Sequence, residues 1–170
     1  SFQWDFGDGI LDTSRAPYYK FTDNGKFPIK LYAMDNAGAS DSLVYMLTVD
    51  NVDPIINVIH IPESGFEGDS IQYKIDVKDP GDDTYIYSWT FGNGATSSDE
   101  SPIHAYKDNG TYSLNIMVED DDNGFVQQTK KIVISNIAPK ITASFPDTAE
   151  EGEQINIDYK VTDPGDDTFS

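Results

Sequence analysis

The chain has 170 residues, 38% of them hydrophobic and 12% aromatic, with no cysteine and a formal net charge of −19. So many aromatic and apolar residues exclude a disordered acidic tail, and the lack of cysteine excludes a disulfide framework. The charge disfavours nucleic acid and anionic membrane as partners and makes divalent cations the natural counterions. No stretch approaches the roughly eighteen apolar residues of a membrane span.

In chain order the predicted elements are strands. Phe2, Trp4 and Phe6 alternate with polar residues and run into the turn Gly7-Asp8-Gly9, and Phe27, Ile29, Leu31 and Ala33 form a second apolar face. Ile71, Tyr73, Ile75 and Val77 alternate likewise, followed by Tyr85, Tyr87, Trp89 and Phe91, then by Tyr112, Leu114, Ile116 and Val118. Ile155, Ile157, Tyr159 and Val161 repeat the pattern near the end. A hydrophobic period of two specifies strands, and the glycine, proline and Asp/Asn clusters between the runs specify turns. A tight turn needs positive φ and a sandwich needs a large buried filler. Gly7, Gly9, Gly92, Gly94, Trp4 and Trp89 are therefore read as structural.

The same words recur. "WDFGDG" at Trp4 to Gly9 returns as "WTFGNG" at Trp89 to Gly94, "DNGKF" at Asp23 as "DNGTY" at Asp108, and "NVDPII" at Asn51 as "NIAPKI" at Asn136, all 85 residues apart. "DPGDDT" at Asp79 returns at Asp163, 84 residues on. The chain is a repeat protein. Residues 1–51 form the C-terminal part of one repeat, 52–136 a complete repeat, and 137–170 the N-terminal part of a third, expected to be completed by residues 1–51 of a neighbouring unit. The fold class expected is all-β, tandem immunoglobulin-like antiparallel β-sandwiches of about seven strands each.

"YSWTFGNG", the spaced "SPIHAY" and "DNGTYSLNIMVEDDDNG" together resemble the PKD (polycystic kidney disease) domain, an immunoglobulin-like sandwich. The resemblance covers the whole chain at one phase or another. Departures fall at turn and edge positions: Asn93 stands where the first repeat has Asp8, Thr90 where it has Asp5, and His104 where it has Tyr19. The resemblance implies a cell-surface or secreted protein, acting as a spacer or interaction module and not as an enzyme.

In such a sandwich the linker entering the first strand and two loops share one end, and here these are the acid-rich segments. For the central repeat they supply Asp50, Asn51 and Asp53, then Asp79, Asp82 and Asp83, then Asp120, Asp121 and Asp122. Calcium takes six to eight oxygens of this kind. The equivalent set across the unit junction is Asn136, Asp163, Asp166, Asp167 and Asp35. Some PKD-like domains of secreted collagenases bind calcium at the linker end, so the resemblance implies Ca2+ as the ion; the alternative is a solvated acidic pole.

The two histidines, His60 and His104, fall at unlike phases of the repeat, and no catalytic set or zinc cluster assembles from them. No enzyme is expected. The favoured function is a structural repeat of an extracellular or cell-surface fibre, stalk or S-layer, whose partners are copies of itself joined end to end, stiffened by calcium. The alternative is a carbohydrate- or protein-binding spacer of a secreted hydrolase or adhesin, with Tyr18, Tyr19 and Tyr32 as an aromatic platform for glycan.

Overall fold

The computed structural model describes residues 1–169. Its regular structure is β throughout, and no helix is long and apolar enough to cross a membrane. Residues before the linker form β1 (Phe2–Asp5), β2 (Leu11–Asp12), β3 (Gly25–Met34) and β4 (Ser40–Val49), in one antiparallel sheet of order β2-β1-β3-β4. The complete repeat contributes β5 (Ile55–His60), β6 (Ser64–Phe66), β7 (Ile71–Gln72), β8 (Lys74–Lys78) and β9 (Tyr85–Thr90). It continues with β10 (Thr96–Ser97), β11 (Ile103–His104), β12 (Gly110–Asp120) and β13 (Phe125–Ser135). Five of these make the sheet β10-β9-β12-β13-β6, and the other four pair as β5-β8 and β7-β11. A final hairpin pairs β14 (Lys140–Ser144) with β15 (Asp158–Thr162). This is the immunoglobulin-like all-β class.

Two predicted strands differ from what period two alone suggests. The run from Ile71 to Lys78 is divided at Tyr73, whose N–H donates to Pro102 O at 2.9 Å, so the segment leaves β11 and joins β5. Ile155 and Ile157 lie ahead of the last strand, because the register Lys140↔Thr162 to Ser144↔Asp158 gives β14 partners only from Asp158 onward.

The chain packs as two compact units, each with its own apolar centre. One comprises Ser1–Ile56, Val77–Ile86 and Val118–Val126; the other comprises Asn57–Asp76, Tyr87–Met117 and the residues from Gln127 onward. In the first unit Phe6 is buried and stacks on Tyr19, Tyr19 meets Phe21 edge-on, and Phe21 tilts against Phe27. Trp4, Ile29, Leu31 and Leu47 are only half-buried there, and Leu43, Tyr45 and Met46 of β4 are exposed.

In the second unit the equivalent positions are sealed. Trp89, Leu114, Ile116 and Ile132 are each 0% exposed, and Tyr73 packs against both Trp89 and Phe91. The indole N–H of Trp89 donates to Asp99 O at 2.9 Å and that of Trp4 to Ser14 O at 3.1 Å, ten residues on in each repeat. Gly92 shows why the turn after the tryptophan strand needs glycine: φ is +81°, and a Cβ would sit 2.7 Å from Ser113 O. On β14 and β15, Ile141 and Tyr159 point outward, 68% and 73% exposed.

Candidate metal-binding loops

Two loop clusters gather oxygen atoms, one in each unit. In the first, the proline of Asp79-Pro80-Gly81 and the glycine after it turn the chain. Asp79 closes that turn by accepting Gly81 N–H on Oδ1 at 2.9 Å. Its other oxygen, Oδ2, is buried with no hydrogen-bond partner, and so is Asp83 Oδ2. Asp120, 2% exposed, accepts N–H groups of Asp122 and Gly124 on Oδ1 and the Asn51 amide on Oδ2 at 2.9 Å. A side chain at Gly124 would collide with Asp120 Oδ2, Asn51 Nδ2 and Asp53 Oδ1, which places these three around one point.

Burial, then the neighbouring Asp79 and the charges of Asp120 and Asp121, push the Asp83 carboxyl up to about 6. A carboxyl moved this way marks a crowd of negative charge with too little water around it.

Of the residues singled out from sequence, Asn51, Asp53 and Asp120 meet in this way, and Asp79 and Asp83 face one another beside Asp120 and Asp121. Asp121 spends Oδ1 on Thr84 N–H. Asp50 lines a shallow cavity of about 170 Å³ with Asp79 and Asp83, while the exposed Asp82 contributes its main-chain N–H to Thr22 O at 2.7 Å. Sequence reasoning included Asp122 and left Asp23 out of the ligand set. One oxygen from each of Asp23, Asp83 and Asp122 lies within 4.8 Å of the others. Asp23 belongs to the "DNG" word of the preceding repeat, and only the packing of that word against the Asp79–Asp83 loop brings it in.

The second cluster is built alike. Asp163 accepts Gly165 N–H on Oδ1 at 2.8 Å and leaves Oδ2 buried without a partner. Asp166 donates its main-chain N–H to Lys107 O at 2.8 Å, and its carboxylate forms an exposed ion pair with Lys107 at 3.7 Å. Asn136 directs its side-chain amide at Asp167, 3.0 Å away. Burial and the charges of Glu67 and Asp163 hold the Asp167 carboxyl above its usual range. Asp35 sits in the β3–β4 turn of the first unit, where Oδ1 accepts the N–H groups of Ala37 and Ala39 at 2.9 Å each.

Glu67 is the residue that sequence reasoning missed. It is 0% exposed, and one oxygen lies within 4.8 Å of oxygens of Asp163 and Asp167. The available signal was the Glu67-Gly68 step, which recurs 84 residues on as Glu151-Gly152, both glycines at positive φ, +78° and +87°.

Elsewhere, Tyr19 lies flat against Phe6, with ring centroids 3.9 Å apart, and so is not free to form a platform with the fully exposed Tyr18. His104 stacks on Phe91 and His60 is exposed.

A family model described as PKD domain matches residues 1–49 and 51–135. Among curated proteins, the chain is 30% identical over 114 residues to Collagenase ColQ1 of Bacillus cereus (strain Q1), covering 66% of this chain and 12% of that protein. It is 32% identical over 101 residues to Pre-pro-metalloprotease PrtV of Vibrio cholerae serotype O1 (strain M66-2), covering 58% of this chain and 11% of that protein. The chain thus spans only a small share of the length of these relatives. Among solved structures, the PKD1 domain of Vibrio anguillarum Epp aligns with a TM-score of 0.43 and 27% identity, over 50% of this chain and 96% of that one. Fibronectin(III)-like modules of Clostridium thermocellum CbhA align with a TM-score of 0.42 and 16% identity, over 78% of this chain and 76% of that one. With that family model running through both repeats as far as residue 135, the chain belongs to the PKD domain family.

Proposed function

We propose that the chain is a non-catalytic structural module of an extracellular protein, a run of repeats that spaces or stiffens what lies on either side of it. The observation that carries this is the unequal closure of one repeated core. Trp89, Leu114 and Ile116 are sealed, their equivalents Trp4, Ile29 and Leu31 are half-open, and Ile155, Ile157 and Tyr159 offer apolar surface of the kind that seals them. Ile155, Ile157 and Tyr159 stand at the phases of Ile71, Tyr73 and Ile75, which cover the sheet in the complete repeat. An exposed row of this kind is a docking surface. In this reading the sheet of residues 1–49 is covered by a segment like residues 137–169 from another copy, and the modules form an end-to-end array. Calcium serves as the ion of the Asp79–Asp83 loop beside Asp120, where the buried, unpartnered oxygens of Asp79 and Asp83 suit a hard cation.

Sedimentation velocity of the full chain over a wide range of concentration, with electron microscopy of the same samples, tests the array. The expected result is concentration-dependent linear association that Y159K weakens. A chain that stays monomeric at every concentration overturns it.

A second reading, a spacer within a secreted hydrolase, is favoured by the names of the relatives, a collagenase and a metalloprotease. It predicts that chain length between flanking domains, and not association, is what matters. Deleting one 85-residue repeat would then alter activity on large substrates while leaving small ones unaffected.

A further inference from the structure

β4 is the last strand of its sheet, and only one of its edges is used. Its register with β3 runs unbroken from Gly25↔Val49 to Met34↔Ser40, which leaves the opposite edge of a 10-residue strand unpaired among the described residues. Such an edge presents main-chain N–H and C=O groups that another extended chain can bond. Proteins blunt these edges with lysine, proline, a bulge or a very short strand, and β4 has none of these devices. Its sequence "SDSLVYMLTV" holds no proline, lysine or arginine, and no charged residue from Ser42 to Val49.

The complete repeat carries a protected version of the same edge. Leu43, Val44, Tyr45 and Met46 stand at the phases of Gln128, Thr129, Lys130 and Lys131 in β13. The apolar four are 67%, 58%, 64% and 56% exposed, and Thr129, Lys130 and Lys131 are exposed as well. These positions therefore stay in solvent even where the core of the sandwich is closed. On its outer edge β13 meets only β6, over Val133, Ile134 and Ser135, which correspond to Thr48, Val49 and Asp50. A segment that sealed the first core in the same way would still leave Ser42 to Leu47 open.

We infer that β4 pairs antiparallel with β4 of a second copy of this chain, about a two-fold axis through Tyr45, so that two sheets become one. In this register Tyr45 faces its own counterpart, Val44 faces Met46, Leu43 faces Leu47 and Ser42 faces Thr48. Apolar and hydroxyl pairs of this kind are what stabilise an antiparallel ladder, and Asp41 falls opposite Val49 and not opposite another acid. A two-fold contact needs a surface that complements itself, and this strand does. Charge favours a copy over other partners. Two chains of net charge −19 repel over most of their surfaces, and along this strand they meet without bringing carboxylates face to face. A charged partner would find nothing on it to recognise. The pairing uses no metal, neither the half-open core nor β15, and does not need the array.

The test is sedimentation velocity of the full chain carrying Y159K, which weakens the end-to-end contact of the reading above. With rising concentration this chain should pass from monomer to dimer and grow no further. Adding Y45K and M46K, which brings in the lysines of the complete repeat at exposed positions, should weaken the dimer at least about tenfold. Should that chain fail to fold, V44K carries the same expectation. The register is read with cysteine, since the chain has none of its own. On mild oxidation Y45C should link to itself faster than L43C, whose partner in this register is Leu47; equal rates overturn the axis at Tyr45. A dimer that the lysines leave as strong as before overturns the pairing. A Y159K chain that stays monomeric at every concentration also overturns it and leaves the edge to a strand of another protein. A parent chain that stops at dimers would leave the pairing standing and overturn the array.

Discussion

The Tyr19 hydroxyl donates to Asp8 Oδ2 at 2.5 Å, and one repeat later Asn93 Nδ2 stands 3.1 Å from His104 Nε2. Positions 8 and 93 are equivalent, as are 19 and 104, so two departures between the repeats are one paired exchange. The bond lowers the Asp8 pKa and raises that of Tyr19. Coupled partners respond non-additively to substitution. Denaturant unfolding of D8N, Y19H and the double variant should show the double losing less stability than the sum of the singles; simple additivity would refute the pairing.

Trp89 and Trp4 occupy one phase of the repeat in different surroundings. Trp89 is 0% exposed, so W89A should cost about 3–5 kcal/mol. Trp4 is half-buried, and W4A should cost about 2 kcal/mol in the same measurement. Chemical denaturation followed by circular dichroism gives both values.

Gly92 and Gly94 separate strain from crowding. Both have positive φ, +81° and +93°, but a Cβ at 92 meets Ser113 O at 2.7 Å while at 94 it meets nothing within 4 Å. G94A should therefore cost only the backbone penalty, about 1 kcal/mol. G92A should cost at least about 2 kcal/mol, since the β12 backbone must move as well. Equal losses would mean that the close approach to Ser113 carries no energy.

His104 makes stability depend on pH. Burial lowers its pKa below the ordinary 6.5. Below pH 6.5 the unfolded chain takes up a proton that the folded chain refuses, so this contribution is whole above 6.5 and is lost as the pH falls through the folded value. The melting temperature of the parent should fall relative to H104Y between about pH 7.5 and about pH 5, a range in which histidine titrates. Parallel curves would exclude the effect.

Asp83 acts in the opposite sense. Its carboxyl, pushed up from 3.8 to about 6 by burial and by Asp79, Asp120 and Asp121, is penalised when ionised. The penalty is absent below pH 3.8 and complete above 6. In chelator at neutral pH, D83N should melt a few degrees above the parent, and the gap should close as the pH is lowered. A D83N chain that melts below the parent under these conditions would contradict it.

The strands were legible because their faces are buried on one side. Leu114, Ile116 and Val118 alternate with half-buried neighbours along β12, as period two requires. The break at Tyr73 was not legible, because it is made by the carbonyl of Pro102, 29 residues away in sequence but adjacent in the fold. Acid-rich loops gave away most of the candidate ligands by their spacing. Glu67 escaped for a physical reason: a glutamate followed by Gly68, Asp69 and Ser70 reads as a surface turn, and only tertiary packing closes over it.

The bonds from Asp82 N–H to Thr22 O and from Asp166 N–H to Lys107 O occupy matching places in successive repeats, and both ends of each are main-chain atoms. Such a bond is blind to amino-acid identity. Threonine gives way to lysine at one end without consequence, and proline at the other is the one replacement that deletes the donor. Mutational drift can therefore rewrite every side chain at this contact, its charge and its partners, while the contact itself is inherited unchanged.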